Sequence, residues 1–343
     1  MRVAVYSIAL NEESFVDRWF DSTLDADYHL ILDTGSTDWT VARARDRGIT
    51  VHEGKIDPWR FDVARNTALM LVPADIDVCI PLDLDEVMVG DWRTALEREF
   101  AKGITRPRYQ YTFSPGLSFY ASKIHSRNGY LWKHPIHEIP TIQPPFVEKE
   151  SFNDDLVMHH LPDPMKSRGS YLPMLERAAA EDPHSARMSY YLAREYFFHR
   201  KMPEATKEFT RYVDMYGSTW RPERAHAYRY LAKTNPELAE HWLTLAIKEW
   251  PSREAYADRA LVRYTLKNWG PCLDDVRAGM VIGHRPDYQT EAFAYGSILP
   301  DLGSIAAWNL GRRGEALELA EQALALSPDD PRIQANISLI KGV

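Results

Sequence analysis

Three acidic side chains are concentrated in the stretch CIPLDLDEVMVG, residues 79–90. Asp83, Asp85 and Glu86 follow an apolar run at residues 78–82 that predicts a buried strand. Carboxylates this close repel one another unless a cation or a shared proton lies between them. Alternation along a strand would point Asp83 and Asp85 to the same side, and two such oxygen donors suit Mg²⁺ or Mn²⁺. The alternative is a solvated turn without a ligand.

A second stretch, LILDTGSTDWT, ends a predicted strand at Asp33 and continues into a tight turn and a predicted helix. A carboxylate in this position can face a ribose or a base. The alternative is an ordinary turn in which Thr37 or Asp38 caps the helix.

A third stretch, FDVARNTAL, places Asp62 and Arg65 on the first turns of a predicted helix. The planar fork of Arg65 suits phosphoryl oxygens, which indicates a contact with a phosphate. The alternative is an internal ion pair between Asp62 and Arg65.

Histidines cluster in two later stretches. YLWKHPIHEIP contains His134, His137 and Glu138, and VMHHLPDP contains His159 and His160. Neutral imidazole can complete a metal shell, and an adjacent Glu can accept a proton. Neither stretch has the helical spacing of a zinc hydrolase, and structural histidines are the alternative.

The elements that must position these residues alternate over the first 100 positions. Apolar runs predict strands at 3–10, 28–33, 49–52 and 78–82, and helical periodicity predicts helices at 12–22, 37–47 and 61–71. Strands separated by helices imply a parallel sheet with helices on both faces, and ligands bind at the carboxyl ends of its strands. Asn11, Asp33 and Asp83 all fall at predicted strand ends. Residues 101–165 lose the helical period and predict strands and loops packed on the open edge of the sheet.

From about residue 167 the pattern is helical and repetitive. Pro203, Pro236 and Pro271 stand at predicted helix starts 33 and 35 residues apart, and Gly314 follows after 43. The long step coincides with an insertion predicted at residues 284–296. Pro or Gly at a helix start about every 34 residues indicates stacked helix pairs. The pattern resembles tetratricopeptide repeats, most clearly in YYLAREYFFHRKMPEATKEFTRYV and WNLGRRGEALELAEQALALSP.

Composition limits the classes of protein that the chain can belong to. The 343 residues include 45% hydrophobic residues, enough for two cores or for one core and a repeat array. Two distant cysteines argue against a disulfide framework, and no stretch reaches the ~18 apolar residues of a membrane span, so we predict a cytoplasmic protein without a transmembrane segment. The net charge of −8 gives no support to general nucleic-acid binding. Residues 101–150 are locally basic, which indicates either a solvated face or a site for an anion.

The ordered motifs ALNEE, LDTGSTDWT, FDVARNTAL, PLDLDE and IHE are similar to those of family 2 glycosyltransferases, in the branch that carries a tetratricopeptide tail. The resemblance implies a fold of the α/β class. A GT-A Rossmann-like mixed sheet with flanking helices would form a catalytic domain at residues 1–165, and an all-α tetratricopeptide-like repeat domain would follow at residues 166–343. It also implies a nucleotide-sugar donor with a UDP-sugar favoured, Mn²⁺ or Mg²⁺, and usually inversion at the anomeric carbon.

Carried over position by position, the resemblance assigns donor binding to five residues: Asn11, Asp33, Asp62, Arg65 and Asp83. Asp33 would face the base, and Asp83 the ribose or a metal-bound water. One departure is Trp39, since the family usually has Gly there. A bulky ring at this position is expected to narrow or cap the nucleotide pocket.

The resemblance assigns the metal to Asp85, with His159 or His160 completing the shell. Glu138 would be the general base for the acceptor, and Glu86 is its competitor. The acceptor is a nucleophile on a peptide or protein, on a glycan, or on a modified DNA base as in phages, and the repeats bind the acceptor or mediate self-association. The rival functions are a nucleotidyltransferase and a non-catalytic repeat scaffold.

Overall fold

The computed structural model describes residues 1–114, 117–162, 171–284 and 289–342. The chain divides into two compact units, of which the first comprises Met1–Met174 and the second begins at Leu175. The domain boundary predicted between residues 165 and 166 lies within residues 163–170, outside the described residues.

The first unit is a mixed α/β structure. Its strands are β1 (Val3–Ala9), β2 (Tyr28–Asp33), β3 (Thr50–Glu53), β4 (Val78–Pro81), β5 (Glu86–Val89), β6 (Arg106–Ser114), β7 (Leu117–Ala121), β8 (His125–Ser126), β9 (Tyr130–Lys133), β10 (Ile139–Ile142) and β11 (Glu150–His160). Its helices are α1 (Val16–Asp21), α2 (Thr40–Asp46), α3 (Phe61–Leu71) and α4 (Trp92–Ala101). The alternation predicted from the sequence is confirmed, although α1 is shorter than the predicted helix at residues 12–22.

The central sheet has the strand order β3-β2-β1-β4-β8. Strands β1 to β4 are parallel, and β8 is antiparallel to β4. Side chains of β1 alternate between two cores, because Val3 packs on the side of Trp19 from α1 while Ala4 packs on the side of Leu69 from α3. Helices therefore cover both faces of the sheet, as predicted.

Residues 101–160 mainly form strands. A second sheet has the order β5-β11-β6-β7, and β9 pairs with β10 in a separate antiparallel ribbon. Tyr109 and Met158 from the second sheet belong to the same buried cluster as Val3 from β1. The central sheet and the second sheet therefore share a hydrophobic core.

The second unit is helical. Helix α5 (Leu172–Glu181) begins at the end of the first unit and is followed by α6 (Ala186–Phe198), α7 (Met202–Asp214), α8 (Arg221–Thr234), α9 (Ala239–Glu249), α10 (Arg253–Thr265), α11 (Trp269–Met280), α12 (Ile298–Asn309), α13 (Arg313–Leu326) and α14 (Pro331–Lys341). From α6 onwards, each helix packs against the next along the chain. Pro203, Pro271 and Gly314 lie in the first turns of α7, α11 and α13, and Pro236 begins a 3₁₀ turn before α9, so the predicted helix starts are confirmed.

Among the residues that the structure describes, none of the helices combines the length and the apolar character that crossing a bilayer requires.

A buried histidine joins the central sheet to β9. The Nδ1 of His125 lies 2.7 Å from the carbonyl oxygen of Ser126, to which it donates, so Nε2 accepts from the Tyr6 hydroxyl at 3.4 Å. The indole of Trp132 donates in turn to the Tyr6 oxygen at 2.7 Å. Burial lowers the pKa of His125 to about 4.

We expect the free energy of unfolding to fall as the pH drops from about 6.5 towards 4. Over that range the unfolded chain binds a proton at His125 while the folded chain does not, so acid favours unfolding by about 1.4 kcal/mol per pH unit for this group. Urea denaturation at several pH values measures the slope. His125→Asn should flatten it, and an unchanged slope in that variant would contradict the role of this histidine.

Candidate functional site

A pocket of about 450 Å³ lies at the carboxyl ends of β1, β2 and β4 in the first unit. Charged and polar side chains form part of its wall: Glu12, Arg65, Asp83, Asp85, Glu86, Tyr111, Lys123 and His160. Apolar residues of the strand ends, such as Ala9 and Leu84, form another part. The edge of the sheet predicted to bind a ligand therefore carries a concave surface.

The acidic stretch forms a turn and does not continue the strand. Strand β4 ends at Pro81, β5 begins at Glu86, and the Glu86 N–H donates to the Asp83 carbonyl at 2.8 Å. The prediction that strand alternation aligns Asp83 with Asp85 was therefore wrong. The pairing with β1 continues to Leu82, whose N–H donates to the Tyr6 carbonyl at 3.1 Å, and the next N–H, that of Asp83, donates to the Glu86 carboxylate at 3.0 Å. Both aspartates line the pocket, but they contact different partners.

Asp83 is the centre of a chain of charges. Its Oδ1 accepts from Arg65 Nη2 at 2.7 Å, and its Oδ2 accepts from Lys123 Nζ at 3.3 Å. The chain continues at both ends, because Arg65 Nε donates to Glu138 at 2.5 Å and Lys123 lies 3.5 Å from Glu86. Arg65 is thereby joined to two carboxylates from other parts of the chain.

Burial and neighbouring charges act in opposite directions on these carboxyl groups. Burial would raise the pKa of Asp83, but the cations Arg65 and Lys123 outweigh it and hold that pKa well below its usual range. Burial raises the pKa of Glu86, and this effect is larger than the lowering by the charge of Lys123. Glu86 also accepts from the Tyr111 hydroxyl at 2.8 Å.

The residues around Arg65 on α3 have structural contacts. Asp62 accepts from Arg60, at 3.1 Å from Nε and 3.0 Å from Nη2, so the alternative of an Asp62–Arg65 pair was wrong. The amide of Asn66 accepts from the Trp132 N–H at 2.8 Å and donates to its carbonyl at 2.9 Å. The Arg65 guanidinium lies 5.0 Å from the centroid of the Trp132 ring. The two hydrogen bonds of Asn66 therefore attach β9 to α3, and the Trp132 ring lies against the Arg65 guanidinium.

Asp85 faces His160, which is the last residue of β11. The Oδ2 of Asp85 lies 3.2 Å from His160 Nε2, and His160 Nδ1 lies 3.2 Å from the carbonyl oxygen of Phe113. A carbonyl oxygen only accepts, so Nδ1 carries a proton in this contact. The charged ring also donates from Nε2 to Asp85, whereas Nε2 of the neutral ring would present a lone pair to the carboxylate. Burial would lower the pKa of His160, but the hydrogen bond and the charge of Asp85 raise it. His159 lies on the opposite face of β11 by strand alternation.

Two acceptors 3.2 Å apart need a proton or a cation between them. Within the described ranges there is no group of three or more His, Cys, Asp or Glu side chains arranged to hold a metal. Mg²⁺ commonly keeps only one or two carboxylates and completes its octahedron with water and substrate phosphates. Asp85 offers one carboxylate to such an ion, whereas His160 offers a nitrogen and not the oxygen that Mg²⁺ prefers.

The turn after β2 is fixed by Asp33 and Asn11. Asp33 Oδ1 accepts from the N–H groups of Gly35 at 3.0 Å and Ser36 at 2.9 Å, while its Oδ2 is buried without a hydrogen-bond partner among the described residues. Asn11 Oδ1 accepts from the Thr37 N–H at 2.8 Å. Asn11 and Asp33 adjoin residues of the pocket wall but do not themselves line it.

Two other residues from the sequence analysis lie outside the pocket wall. Glu138 is not among the lining residues and contacts Arg65. Trp39 is 70% exposed and does not line the pocket, contrary to the expectation that its ring narrows it.

Sequence reasoning missed Lys123 and an aromatic wall. Trp59, Phe61 and Tyr171 line the pocket, with ring centroids 5.2 Å apart for Trp59 and Phe61 and 6.4 Å apart for Phe61 and Tyr171. The local excess of basic residues at 101–150 includes Lys123, but no motif distinguishes it from its neighbours.

Comparison with known proteins assigns no family. No protein-family model and no curated protein matches the chain. Three solved structures illustrate its similarities. MamA is 17% identical over 47% of this chain and 89% of its own, with a TM-score of 0.38. YrrB, described as a TPR protein with an unusual peptide-binding site, is 16% identical over 50% of this chain and 82% of its own, with a TM-score of 0.37.

The third is glucosyl-3-phosphoglycerate synthase from Mycobacterium tuberculosis, in complex with Mn²⁺, UDP and glucosyl-3-phosphoglycerate. It is 24% identical over 32% of this chain, with a TM-score of 0.27, and the match spans 44% of the synthase. The structural neighbours thus include a tetratricopeptide-repeat protein and a glucosyl-phosphoglycerate synthase.

We expect Arg65→Met to lower the free energy of unfolding by about 3–5 kcal/mol, because it leaves Glu138 and one oxygen of Asp83 buried without their cation. Urea denaturation measures the change. The double variant Arg65→Met, Glu138→Gln should regain part of the lost free energy of unfolding, since Gln removes one carboxylate that has lost its cation. Arg98→Met, which breaks an exposed pair with Asp155, is the matched control and should cost less than about 1 kcal/mol. A similar cost for Arg65→Met and Arg98→Met would contradict the buried chain of charges.

Proposed function

We propose that the protein is a metal-dependent glycosyltransferase that moves a sugar from a nucleoside diphosphate sugar, with a UDP-sugar favoured, to an acceptor nucleophile with inversion. The observation that carries the proposal is the pair of Asp85 and His160, whose facing acceptors share one pocket with Asp83 and its two cations. In this proposal the first unit is a GT-A catalytic domain and the helical unit is a tetratricopeptide-like array.

The balance of charge in the pocket supports a requirement for a divalent cation. Four carboxylates line the pocket and outnumber its two lining cations, Arg65 and Lys123; the carboxylates are Glu12, Asp83, Asp85 and Glu86. A nucleoside diphosphate is itself an anion, so it would meet a wall of its own sign. Mn²⁺ or Mg²⁺ held by Asp85 and His160 would neutralise the departing diphosphate.

The residues of this chain have separate tasks in the proposal. Asp33 is the proposed partner of the base, and the turn that Asn11 holds would have to open, because the unpartnered Oδ2 of Asp33 is buried and does not line the pocket. Asp83, kept ionised by Arg65 and Lys123, would accept from the ribose or from a metal-bound water. Asp62, which is paired with Arg60, would support the start of α3.

Glu138 is the proposed base for the acceptor, and Glu86 is the alternative. The side chain of Glu138 is 11% exposed, compared with 2% for Glu86. Both carboxylates have partners, since Tyr111 and the Asp83 N–H donate to Glu86 and Arg65 donates to Glu138. Glu86 lines the pocket and Glu138 does not, so the acceptor would have to reach Glu138 from beside Arg65. Removing a proton from the acceptor typically contributes ~10²–10⁴-fold to such a reaction.

The aromatic wall of Trp59, Phe61 and Tyr171 supports an acceptor or a transferred group that presents a ring face. Acceptors on a peptide or protein, on a glycan and on a modified DNA base are all compatible with it. The concave surfaces of repeat arrays suit extended partners, so the helical unit would bind the acceptor or a second copy of the chain.

We expect the melting temperature to rise in the presence of a UDP-sugar together with Mn²⁺, because a ligand of the native state stabilises it by mass action. A thermal-shift screen of UDP-sugars with Mn²⁺ or with EDTA measures the effect. Asp85→Ala should remove the Mn²⁺-dependent shift and donor hydrolysis while the protein stays folded. Asp155→Ala, at an exposed carboxylate, is the control. Undiminished hydrolysis by the Asp85 variant would refute the metal assignment. If the parent protein shows neither the shift nor hydrolysis, a binding scaffold or a nucleotidyltransferase is the better function.

Glu138→Gln is expected to retain donor binding and to lose ~10²–10⁴-fold in the rate of transfer, because the amide keeps a hydrogen-bond acceptor for Arg65 but cannot take up a proton. The release of UDP measures the rate, and the thermal shift measures donor binding. If Glu138→Gln acts at the parental rate while Glu86→Gln does not, the role of base belongs to Glu86.

A further inference from the structure

Lys123 is a partly exposed cation of the pocket that no sequence motif indicated. It lies in the connection between β7 and β8, and its ammonium group contacts Asp83 at 3.3 Å and Glu86 at 3.5 Å. Its side chain is 29% exposed, compared with 4% for Arg65. Of these two cations, Lys123 is the more accessible from the pocket.

Arg65 has little freedom to meet a ligand. Its Nε and Nη2 are bound to Glu138 and Asp83, and its Nη1 is buried without a hydrogen-bond partner in the described part of the chain. The guanidinium also lies 5.0 Å from the ring centroid of Trp132. These contacts fix Arg65 as a support for Asp83.

Lys123 has donor capacity left over. An ammonium group carries three N–H bonds, and both of its contacts are longer than the 2.7–3.2 Å of ordinary N–H···O hydrogen bonds. Its four-carbon stem is flexible, so the charge can turn towards an anion without movement of the backbone. An arriving phosphate can therefore take one of its N–H groups while Arg65 continues to hold Asp83.

We propose that Lys123 is the residue that contacts the phosphates of the donor, and that Arg65 is a positioning residue that acts through Asp83. This inference rests on the proposed function, because it takes a nucleoside diphosphate as the ligand. It implies that the nucleoside part of the donor binds independently of Lys123, whereas the diphosphate part depends on it.

A purely structural role for Lys123 makes a different prediction. If the ammonium only neutralised Asp83 and Glu86, its removal would disturb the turn that carries both residues. All ligands of the pocket would then bind more weakly by a similar factor, with or without phosphates.

The experiment compares the binding of UDP and of uridine, each with Mn²⁺, by calorimetry. For Lys123→Met we expect UDP to bind about 10- to 100-fold more weakly, with uridine unchanged, because one charge-assisted hydrogen bond is lost. Lys123→Arg should recover most of the affinity for UDP. Lys133→Met, at an exposed lysine of the same basic segment, is the matched control and should bind both ligands as the parent does.

Equal weakening of UDP and uridine in Lys123→Met, or unchanged binding of UDP, would overturn the role of Lys123 while leaving the proposed function intact. If the parent protein binds neither ligand, the proposed function itself fails. Should Lys123→Met unfold, Lys123→Gln keeps a polar side chain at the position, and the same ratio of UDP to uridine affinities decides the question.

Discussion

The crowding of carboxylates at the end of β4 is the constraint on which the first unit depends. Asp83 lies in a partly buried turn, and Arg65 and Lys123 each bind one of its oxygens, which stabilises its ionised form. Arg65 comes from α3 and Lys123 from the connection before β8, and Glu138 extends the chain of charges into the segment before β10. One electrostatic requirement thus ties together elements that are distant in the sequence. Asp85 is not part of this chain of charges and faces His160 in the wall of the same pocket.

The helical unit also contains a buried cation that is paired with carboxylates. Arg229 is buried and donates to Asp258 at 2.7 Å and to Glu291 at 3.0 Å. Glu291 belongs to the part of the chain that lengthens the last repeat step, and the Arg253 side chain binds the carbonyl of Ala294 at 2.8 Å. Arg229 on α8 and Arg253 on α10 therefore attach the described part of this insertion to the array. Fixed partners of this kind favour one arrangement of helices over its alternatives.

Several site contacts could not be derived from the sequence, because they depend on pairings between distant segments. Local spacing suggested that Arg65 would pair with Asp62, three positions away, but Asp62 is held by Arg60 and Arg65 reaches two carboxylates elsewhere. Lys123 lies in a loop that has no recognisable sequence motif. It reaches Asp83 because the strand that follows this loop, β8, pairs with β4. Of the adjacent histidines, the pleat of β11 brings His160 to Asp85.

Apolar periodicity alone determined the alternation of strands and helices in the first unit and the all-helical character of the second, because burying one face of each element fixes its period. Strand ends likewise indicated which edge of the sheet carries Asp83 and Asp85, since parallel strands share their carboxyl edge. Tertiary structure decided which charges meet. A salt bridge depends on angstrom-scale distances between segments many tens of residues apart, and the sequence pattern carries no record of those distances.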